Sequence, residues 1–366
     1  MAMYRAGDWN DLDQIKVLGV QRELTDWYGK NHRKLPWRET SDPYYIWVSE
    51  VMLQQTRVDT VIPYFLNFIE KFPTMEDLAQ AHEEEVLKAW EGLGYYSRVR
   101  NLQRGAKVVV EQYGGQVPKD LQEIKKIPGI GPYTAGAVLS IAYDQAVPAV
   151  DGNVMRVFSR LFCIEDDISE GKTRSEMEKI GRVVVPRENP SSFNQGLMEL
   201  GALICTPTSP KCIACPVYGQ CCAAQRGIQN ELPIKKKKQA AKEVQLEVAL
   251  VWNDDKVLIM KRPGDGLLAS LWAFPSAVRE EGWEPGSNII AVLKEEYGII
   301  VDDINYVFDA QHVFTHLKWN MEVYDCKLSS TVELDYPQIQ WVTLDEIGNY
   351  AIPTAFMKVL RKIDGG

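Results

Sequence analysis

IPGIGPYTAGAVLSIAYDQAVPAVD, residues 127–151, is the stretch that decides the fold. A tight turn containing Gly129 and Gly131 separates a short helical segment at 121–126 from an apolar helix predicted at about 133–143. The two glycines permit a positive φ or the close approach of another molecule. The unpaired N–H groups and positive dipole end of the second helix suit a phosphate. A plain helical hairpin with a glycine turn fits the same residues, so both interpretations stay open.

Asp151, which ends this stretch, also has two interpretations. It directly precedes a helix predicted at about 153–162, and aspartate is a favoured N-cap residue. The alternative is a catalytic carboxylate next to Asn153, whose amide is either a second cap or a hydrogen-bond donor. Taken by itself, the local sequence favours the cap.

The composition predicts an intracellular protein with more than one domain. The 366 residues favour two or three domains, and 45% hydrophobic with 25% charged residues is ordinary for a globular chain. No apolar run reaches the roughly 18 residues that span a bilayer, and the N-terminus lacks the apolar segment of a signal peptide. Four of the seven cysteines are clustered, which is more typical of metal binding than of secreted disulfides. We therefore expect a cytoplasmic protein that does not bind a membrane.

The formal charge of −9 argues weakly against a nucleic-acid partner. The charge is unevenly distributed, however. Lys and Arg number 26 against 29 Asp and Glu in residues 1–226, and 15 against 21 in residues 227–366. A local basic face in the first part of the chain therefore remains compatible with the sequence.

The first 225 residues are predicted to be all-α, because no convincing alternating strand pattern appears before residue 244. Residues 1–20 are interpreted as a loosely ordered lead-in. Tyr44–Thr56 is a strongly predicted helix, with its aromatic and aliphatic side chains on one face. Further helices are predicted at about 57–72, 84–91, 97–113, 133–143, 153–162, 173–185 and 190–204.

Glu50 lies in the helix YIWVSEVMLQQT, where its neighbours are apolar. A carboxyl group in apolar surroundings has a raised pKa, which suits a general acid near neutral pH. The alternative is a surface glutamate on the flank of a buried stripe. Further along, Tyr95, Tyr96 and Arg98 follow a Gly-x-Gly break. These residue types suit base stacking and phosphate contacts, and a helix start with core tyrosines is the alternative.

The cysteines at 205, 212, 215 and 221 have the spacing C-x6-C-x2-C-x5-C. Structural zinc sites generally show two C-x2–4-C pairs, and only one such pair is present. Four thiolates also hold iron–sulfur clusters. Cys222 has no counterpart in this pattern, and we expect Cys163 and Cys326 to be isolated thiols.

A different domain is predicted after the Lys-rich segment 231–243, which is interpreted as a linker. A hairpin at about 244–261, strands at 306–315, 318–327 and 338–343 and a helix at 287–298 predict an α+β domain. This domain resembles Nudix domains, but the hydrolase sequence box is broken. Aligned on Glu295, Glu296 and Gly298, the box has apolar residues at four defining positions: Ala277, Trp283, Ala291 and Val292. Without that acidic set, a pyrophosphatase lacks ligands for Mg²⁺.

Taken in order, these motifs resemble the adenine DNA glycosylases of the MutY family, in the endonuclease III superfamily. The resemblance covers about residues 20–360. It is carried by VSEVMLQQT (48–56), GLGYYSR (92–98), IPGIGPYTAGA (127–137), VDGNVMRV (150–157) and the four-cysteine loop. It implies a multidomain protein. An all-α helix-hairpin-helix DNA glycosylase domain with an iron–sulfur cluster loop (1–230) is followed by a linker (231–243) and an α+β Nudix-like domain (244–366). The hairpin would occupy 121–143 and the cluster loop 205–221.

The resemblance also implies a chemistry: removal of adenine mispaired with 8-oxoguanine or guanine in double-stranded DNA, after the base is flipped out. By position, Glu50 matches the general acid that protonates adenine N7. Asp151 matches the carboxylate that stabilises the oxocarbenium ion, through a covalent sugar intermediate. Tyr133 and Asn153 would orient Asp151. Bifunctional relatives carry a lysine where Tyr133 stands, so we expect a monofunctional enzyme with little lyase activity.

The remaining assignments follow from the same resemblance. Trp37 and Arg38 would line the adenine pocket, Gln55 and Tyr95 would insert into the duplex, and Gly129 and Gly131 would grip phosphate. Phe314, Thr315 and His316 match a Phe-Ser-His loop that recognises 8-oxoguanine, with threonine replacing serine. Cys205, Cys212, Cys215 and Cys221 would hold a [4Fe–4S] cluster. The protein is expected to be a monomer.

Three other functions fit parts of the chain. A Nudix-type nucleotide hydrolase is opposed by the broken box, and a non-catalytic damage binder needs neither Glu50 nor Asp151. A thymine–DNA or endonuclease III-like glycosylase would lack the C-terminal domain.

Overall fold

The computed structural model describes residues 14–236, 240–280, 282–329 and 336–364. The described residues form two compact units. One is drawn from Met1–Gln80 and Asn101–Lys237, and the other from Ala81–Arg100 and Lys238–Gly366. The sequence-based boundaries placed residues 81–100 in the first domain, whereas the structure groups them with the second. This segment contains the helix Glu83–Ala89 and the buried Trp90, and its local sequence carries no signal for the unit against which it packs.

The helical region up to residue 236 follows the predicted pattern closely. Its helices are α1 Gln14–Asn31, α2 Pro43–Leu53, α3 Val58–Lys71, α4 Met75–Gln80, α5 Glu83–Ala89, α6 Ser97–Tyr113, α7 Leu121–Ile124, α8 Pro132–Tyr143, α9 Gly152–Phe162, α10 Gly171–Val184, α11 Pro190–Leu203 and α12 Cys222–Arg226. The lead-in prediction is wrong for residues 14–20, which are helical, and residues 1–13 lie outside the described residues. The short helix α4 was not predicted.

The helical hairpin uses its two glycines differently. Gly129 has φ +82, and a Cβ there would lie 2.9 Å from the Asn101 Cβ, so both conformation and space require glycine. Gly131 has φ −87 and ψ 179, which is extended backbone, and it precedes Pro132 at the start of α8. A Cβ at Gly131 would meet nothing within 4 Å. The positive φ expected of this turn is therefore confirmed at Gly129 and absent at Gly131.

A buried apolar cluster holds the part of the first unit that carries α9. Residues 154–162 of α9 are all buried, among them Phe158 and Arg160. The cluster also includes Val20 and Leu24 of α1 and Phe193 of α11. Because α9 is enclosed by other helices, the residue that precedes it, Asp151, is held in a fixed position.

The second unit is built on a mixed sheet with the strand order β3-β2-β1-β6-β5. The strands are β1 Lys242–Asn253, β2 Lys256–Lys261, β3 Trp272–Ala273, β4 Ser276–Val278, β5 Val301–Val313, β6 Leu317–Leu328 and β7 Ile339–Val342. β4 pairs with β1 and β7 pairs with β2, and β1 runs parallel to β6. The helices are α13 Ser287–Tyr297 and α14 Thr354–Asp364. The predicted hairpin, strands and first helix are confirmed, while β3, β4 and α14 were not predicted.

Two separate apolar clusters cover the sheet. One contains Phe274, Trp319 and Phe356, and the other contains Leu258, Ile289 and Leu293. Buried residues run without a break along the centre of β1, from Leu246 to Val251. Continuous burial is the pattern expected of a strand that is covered on both faces.

Candidate functional site

Glu50 is held inside the first unit by helix α2. The helix begins after Asp42, whose carboxylate accepts a hydrogen bond of 2.8 Å from the Tyr44 N–H, and Pro43 occupies its first position. Residues 46–52 are all buried, so Glu50 has apolar neighbours on several sides. Its own exposed fraction is 5%. The prediction of an apolar environment for this carboxyl group is confirmed.

The Glu50 carboxyl group is hydrogen-bonded by Tyr133, the residue that was expected to orient Asp151. The Tyr133 hydroxyl donates to Glu50 Oε2, and it also lies 3.4 Å from Met198 Sδ. Burial raises the pKa of Glu50 to about 7, and the negative charge of Asp151 acts in the same direction. The Tyr133 hydrogen bond and the Arg38 charge oppose this increase in pKa. A carboxyl group with this pKa is partly protonated near neutral pH and can donate a proton.

Asp151 is both the N-cap of α9 and a neighbour of Glu50. Its Oδ1 accepts from the Val154 N–H at 2.7 Å, and its Oδ2 accepts from Asn153 Nδ2 at 2.9 Å. Burial raises its pKa, while these hydrogen bonds lower it. The two interpretations made from the sequence are therefore compatible. A cap fixes the carboxylate at the helix terminus, and the fold places that terminus close to Glu50.

Arg156 fixes the orientation of the Asn153 amide. Its Nη2 donates to Asn153 Oδ1 at 2.9 Å and to the Gly201 carbonyl at 2.7 Å, and its Nε donates to the Cys205 carbonyl at 2.8 Å. The Asn153 oxygen faces the guanidinium group, so its nitrogen faces Asp151. Arg156 was not predicted as a site residue, although its position three residues after Asn153 places both on one face of a helix.

An ion cluster next to the site was also missed. The buried Glu199 carboxylate accepts from Arg33 Nε at 2.9 Å and Nη2 at 2.7 Å, and from Arg38 Nη2 at 3.0 Å. Burial opposes the ionised form, but these hydrogen bonds hold the Glu199 pKa at about 2. The Arg38 guanidinium lies 5.4 Å from the centre of the Tyr28 ring. Trp37 is buried against Phe65, with their ring centres 5.4 Å apart. The partners of Arg38 lie 5 and 161 residues away, and no local pattern identifies them.

The four clustered cysteines line one small cavity, of about 30 Å³, together with Arg160. The Arg160 guanidinium donates to Cys205 Sγ at 3.3 Å and to the Thr206 carbonyl at 2.7 Å. No set of three or more His, Cys, Asp or Glu side chains in the described ranges is close enough to hold a single metal ion. Four thiols that surround one cavity beside a cationic donor fit a cluster with several metal atoms.

Two further cysteines form a bond that was not predicted. Cys163 and Cys222 are joined by a disulfide, with their Cα atoms 5.7 Å apart. The expectation that Cys163 is an isolated thiol is therefore wrong, because two residues 59 positions apart in the chain are brought together at the end of α9. Cys326 is a free, buried cysteine, as expected.

The second unit holds the remaining candidate residues. Tyr95 is 46% exposed with φ +49, and its hydroxyl is 2.8 Å from Thr315 Oγ1. The Arg98 guanidinium lies 5.5 Å from the centre of the Tyr95 ring. Thr315 and His316 are exposed, and the ring centre of the half-buried Phe314 is 4.8 Å from that of Trp319.

Gln55 belongs to the first unit, where it follows α2. It is exposed and has φ +61, a conformation that is uncommon for a residue with a side chain. The structure thus brings Glu50, Tyr133, Asp151 and Arg38 together, whereas Gln55 lies on an exposed turn.

A cavity of about 460 Å³ in the second unit contains the altered Nudix positions. Ala277, Trp283, Ala291 and Val292 all line it, as do Glu295 and Glu296. Both glutamates are exposed, and the buried part of the wall is mostly apolar, including Phe274, with the amide of Asn288 as a polar exception. Glu280 also lines the cavity and is exposed, so none of these three carboxylates is buried, and the four altered box positions contribute no metal ligand.

Comparison with known proteins connects this geometry to a family. The HhH-GPD superfamily of base excision DNA repair proteins matches residues 48–182, and the NUDIX domain matches residues 247–362. The adenine DNA glycosylase of Rattus norvegicus is 35% identical over 405 residues, covering 95% of this chain and 78% of that protein. The enzyme of the same name from Buchnera aphidicola subsp. Schizaphis graminum is 38% identical over 254 residues, covering 69% and 73%. The chain belongs to the adenine DNA glycosylase family.

Solved structures of other DNA glycosylases share the helical fold of this chain. A thermostable thymine-DNA glycosylase matches with 28% identity and a TM-score of 0.52, covering 58% of this chain and 98% of that one. A trapped endonuclease III–DNA covalent intermediate matches with 26% identity and a TM-score of 0.51, covering 59% and 99%. The family consists of base excision repair enzymes that hydrolyse N-glycosyl bonds in DNA. Within the described residues, no helix combines the length and apolar character needed to cross a membrane.

Proposed function

We propose that this adenine DNA glycosylase removes adenine paired with 8-oxoguanine or guanine and does not cleave the strand. The proposal depends chiefly on one observation: the buried Glu50 carboxyl group, held by Tyr133, has the half-buried Asp151 carboxylate near enough to raise its pKa, and Asp151 is held by its own hydrogen bonds at the start of α9. Their different hydrogen-bond partners give them different roles, as in glycosidases that use two carboxyl groups.

Glu50 is assigned as the general acid. Its pKa of about 7 keeps a proton available near neutral pH. Transfer of that proton to adenine N7 allows adenine to leave without negative charge when the N-glycosidic bond between its N9 and the sugar C1′ breaks. A positioned general acid typically contributes about 10²–10⁴-fold to the rate. The Tyr133 hydroxyl stabilises the ionised form of Glu50 after the transfer.

Asp151 is assigned to the sugar. Two hydrogen bonds at the start of α9 hold its carboxylate, and Asn153 supplies one of them. The carboxylate stabilises the positive charge that develops on C1′, and bonding to that carbon gives a covalent intermediate. Water then adds to C1′ and releases the carboxylate. An amine would be needed for the Schiff base that leads to strand cleavage, and Tyr133 carries a phenol instead.

The second unit is assigned to recognition of the opposite base. Tyr95 and the Phe314–His316 loop are exposed, and they are connected through the hydrogen bond between Tyr95 and Thr315. Tyr95 and Gln55 would insert into the duplex, and Gly129 and Gly131 would contact phosphate. The four cysteines would hold a [4Fe–4S] cluster, which when bound cross-links the 205–221 loop.

The decisive experiment uses duplexes that carry one adenine opposite 8-oxoguanine, guanine or thymine, with the wild type and the Asp151→Asn variant. We expect excision by the wild type opposite 8-oxoguanine and guanine, and a loss of at least about 10³-fold in the variant, because a neutral amide cannot stabilise the sugar cation. Equal activity of the two proteins would overturn the mechanism. Abundant protein–DNA crosslinks after borohydride treatment would overturn the monofunctional assignment.

A further inference from the structure

Cys163 and Cys222 form a bonded pair that plays no part in the proposed excision chemistry. Cys163 follows α9 and has φ +50, while Cys222 begins α12 and directly follows the cluster-loop residue Cys221. The disulfide therefore joins the end of the helix that starts at Asp151 to the end of the cluster loop. Both residues are half-buried, so small thiol reagents can reach them.

The disulfide closes a segment that contains the whole cluster loop. Its two cysteines are 59 residues apart, and Cys205–Cys221 lies inside the segment that they close. The same end of α9 also holds the loop without covalent bonds. Arg160 donates to Cys205 Sγ at 3.3 Å, and Cys221 Sγ lies 3.5 Å from the Arg160 carbonyl. The disulfide thus reinforces a contact that exists independently of it.

The chemistry of the pair depends on its surroundings. A protein that the sequence predicts to be cytoplasmic encounters a reducing environment, in which disulfides are rare and those that form are usually transient. We propose that Cys163 and Cys222 are a reversible redox modification site, a dithiol in reducing conditions and a disulfide in oxidising ones. In the oxidised form, the cluster loop is covalently anchored to α9.

A low-molecular-weight disulfide, of the glutathione disulfide class, is the oxidant. One protein thiolate attacks it, forming a mixed disulfide and releasing one small thiol. The second protein thiolate attacks the mixed disulfide and releases the other small thiol. Two protein thiols thereby lose two electrons and two protons, and one small disulfide becomes two small thiols. Excess dithiothreitol reverses both steps.

The physical effect is on opening of the loop. A covalent link restricts the unfolded chain and prevents residues 205–221 from separating from α9 as a unit. We therefore expect the oxidised protein to be more resistant to heat and to retain its metal cluster longer. The inference goes beyond adenine excision and requires only that the four cysteines hold a cluster.

The test compares cluster-containing protein after treatment with dithiothreitol or with glutathione disulfide. Peptide mass spectrometry after alkylation reports a 163–222 linkage, and visible absorption follows cluster loss during exposure to an iron chelator. We expect the linkage only in the oxidised sample, a melting temperature higher by roughly 5–10 °C, and cluster loss slower by about tenfold.

Variants make the result specific. In Cys222→Ser, the oxidised and reduced samples should behave alike. In Cys326→Ser, which removes a buried cysteine of the second unit, the wild-type difference should persist. If Cys222→Ser does not fold, Cys163→Ser and the reduced wild type serve for the comparison, because both lack the bond. Absence of the linkage, or equal melting and cluster loss in both redox states, overturns the proposal.

Discussion

The two units use carboxyl groups in opposite ways. In the first, Glu50 is 5% exposed, a tyrosine hydroxyl bonds it, and its pKa is raised to about 7. In the second, Glu295 and Glu296 line a cavity of about 460 Å³ but are exposed to water. Glu280 lines that cavity as well, yet none of its three glutamates is removed from solvent as Glu50 is. Proton-transfer chemistry depends on that removal and on the partners, and not on the count of acids.

The strongest test of this contrast replaces one glutamate by glutamine in each unit. Glu50→Gln should reduce adenine excision by about 10²–10⁴-fold, because an amide cannot donate the proton. Glu296→Gln is the matched control and should change the rate less than about twofold, since exposed surface groups away from a site contribute little. Single-turnover kinetics on an adenine–8-oxoguanine duplex measure both. A large loss in the control would assign chemistry to the cavity.

A second test compares two buried carboxylates with different partners. Glu199 binds two arginines, whereas the fully buried Glu247 accepts hydrogen bonds from the backbone N–H groups of Gly286 and Ile289. Glu199→Gln should destabilise the protein by about 3 kcal/mol, because it leaves Arg38 largely buried without its counter-ion. Glu247→Gln should cost about 1–2 kcal/mol. Denaturant unfolding measures the loss of stability in both variants. A larger loss in Glu247→Gln than in Glu199→Gln would show that the two arginines become hydrated once Glu199 is neutral.

The raised pKa of Glu50 also predicts a cost in stability. The unfolded carboxyl group titrates near 4.5 and the folded one near 7. The unfolded state therefore releases its proton first as pH rises, and the stability contributed by Glu50 falls between those values. At pH 8, Glu50→Gln should be more stable than the wild type by about 3 kcal/mol, because a pKa difference of about 2.5 units corresponds to about 1.4 kcal/mol per unit. At pH 4 the two should be equal. A constant difference at every pH would contradict the assignment.

The smallest effect is expected in the second unit, at the hydroxyl that Tyr95 contacts. Thr315→Val keeps the shape and removes the hydrogen bond. We expect the preference for 8-oxoguanine over guanine opposite adenine to fall by about 3–10-fold, which is the range for one hydrogen bond. Thr315→Ser, which retains the hydroxyl, should keep the preference. An unchanged preference in Thr315→Val would remove this loop from base recognition.

Most of the helices and strands were predictable because the pattern of apolar residues within each segment indicates them. The apolar periodicity of α2, α6 and α9 and the alternation of β1 place these elements within a few residues of their observed ends. The short elements α4, α12, β3 and β4 were missed, because two to six residues carry too little periodicity. The helix α14 was missed although it has 11 residues. The assignment of residues 81–100 to the second unit depends on packing and leaves no local pattern.

The candidate site was predictable only in part, for a related reason. Glu50, Tyr133 and Asp151 belong to motifs, and their residue types suggest their chemistry. Arg33 and Glu199 bind each other across 166 residues, and Arg156 binds carbonyl groups 45 and 49 residues away in addition to the nearby Asn153. Their contacts exist only after the helices pack, so a single sequence gives no spacing from which to infer them. The Cys163–Cys222 bond was missed for the same reason.

The contacts of Arg156 have a consequence for the order of folding. The cap at Asp151 is local, since its partners lie two and three residues away. The support of the Asn153 amide is not local, because Arg156 also binds carbonyls at Gly201 and Cys205. Closing such a loop is slower than forming a helix turn. The support of the Asn153 amide, and with it the final position of Asp151, therefore requires the chain to extend at least to residue 205.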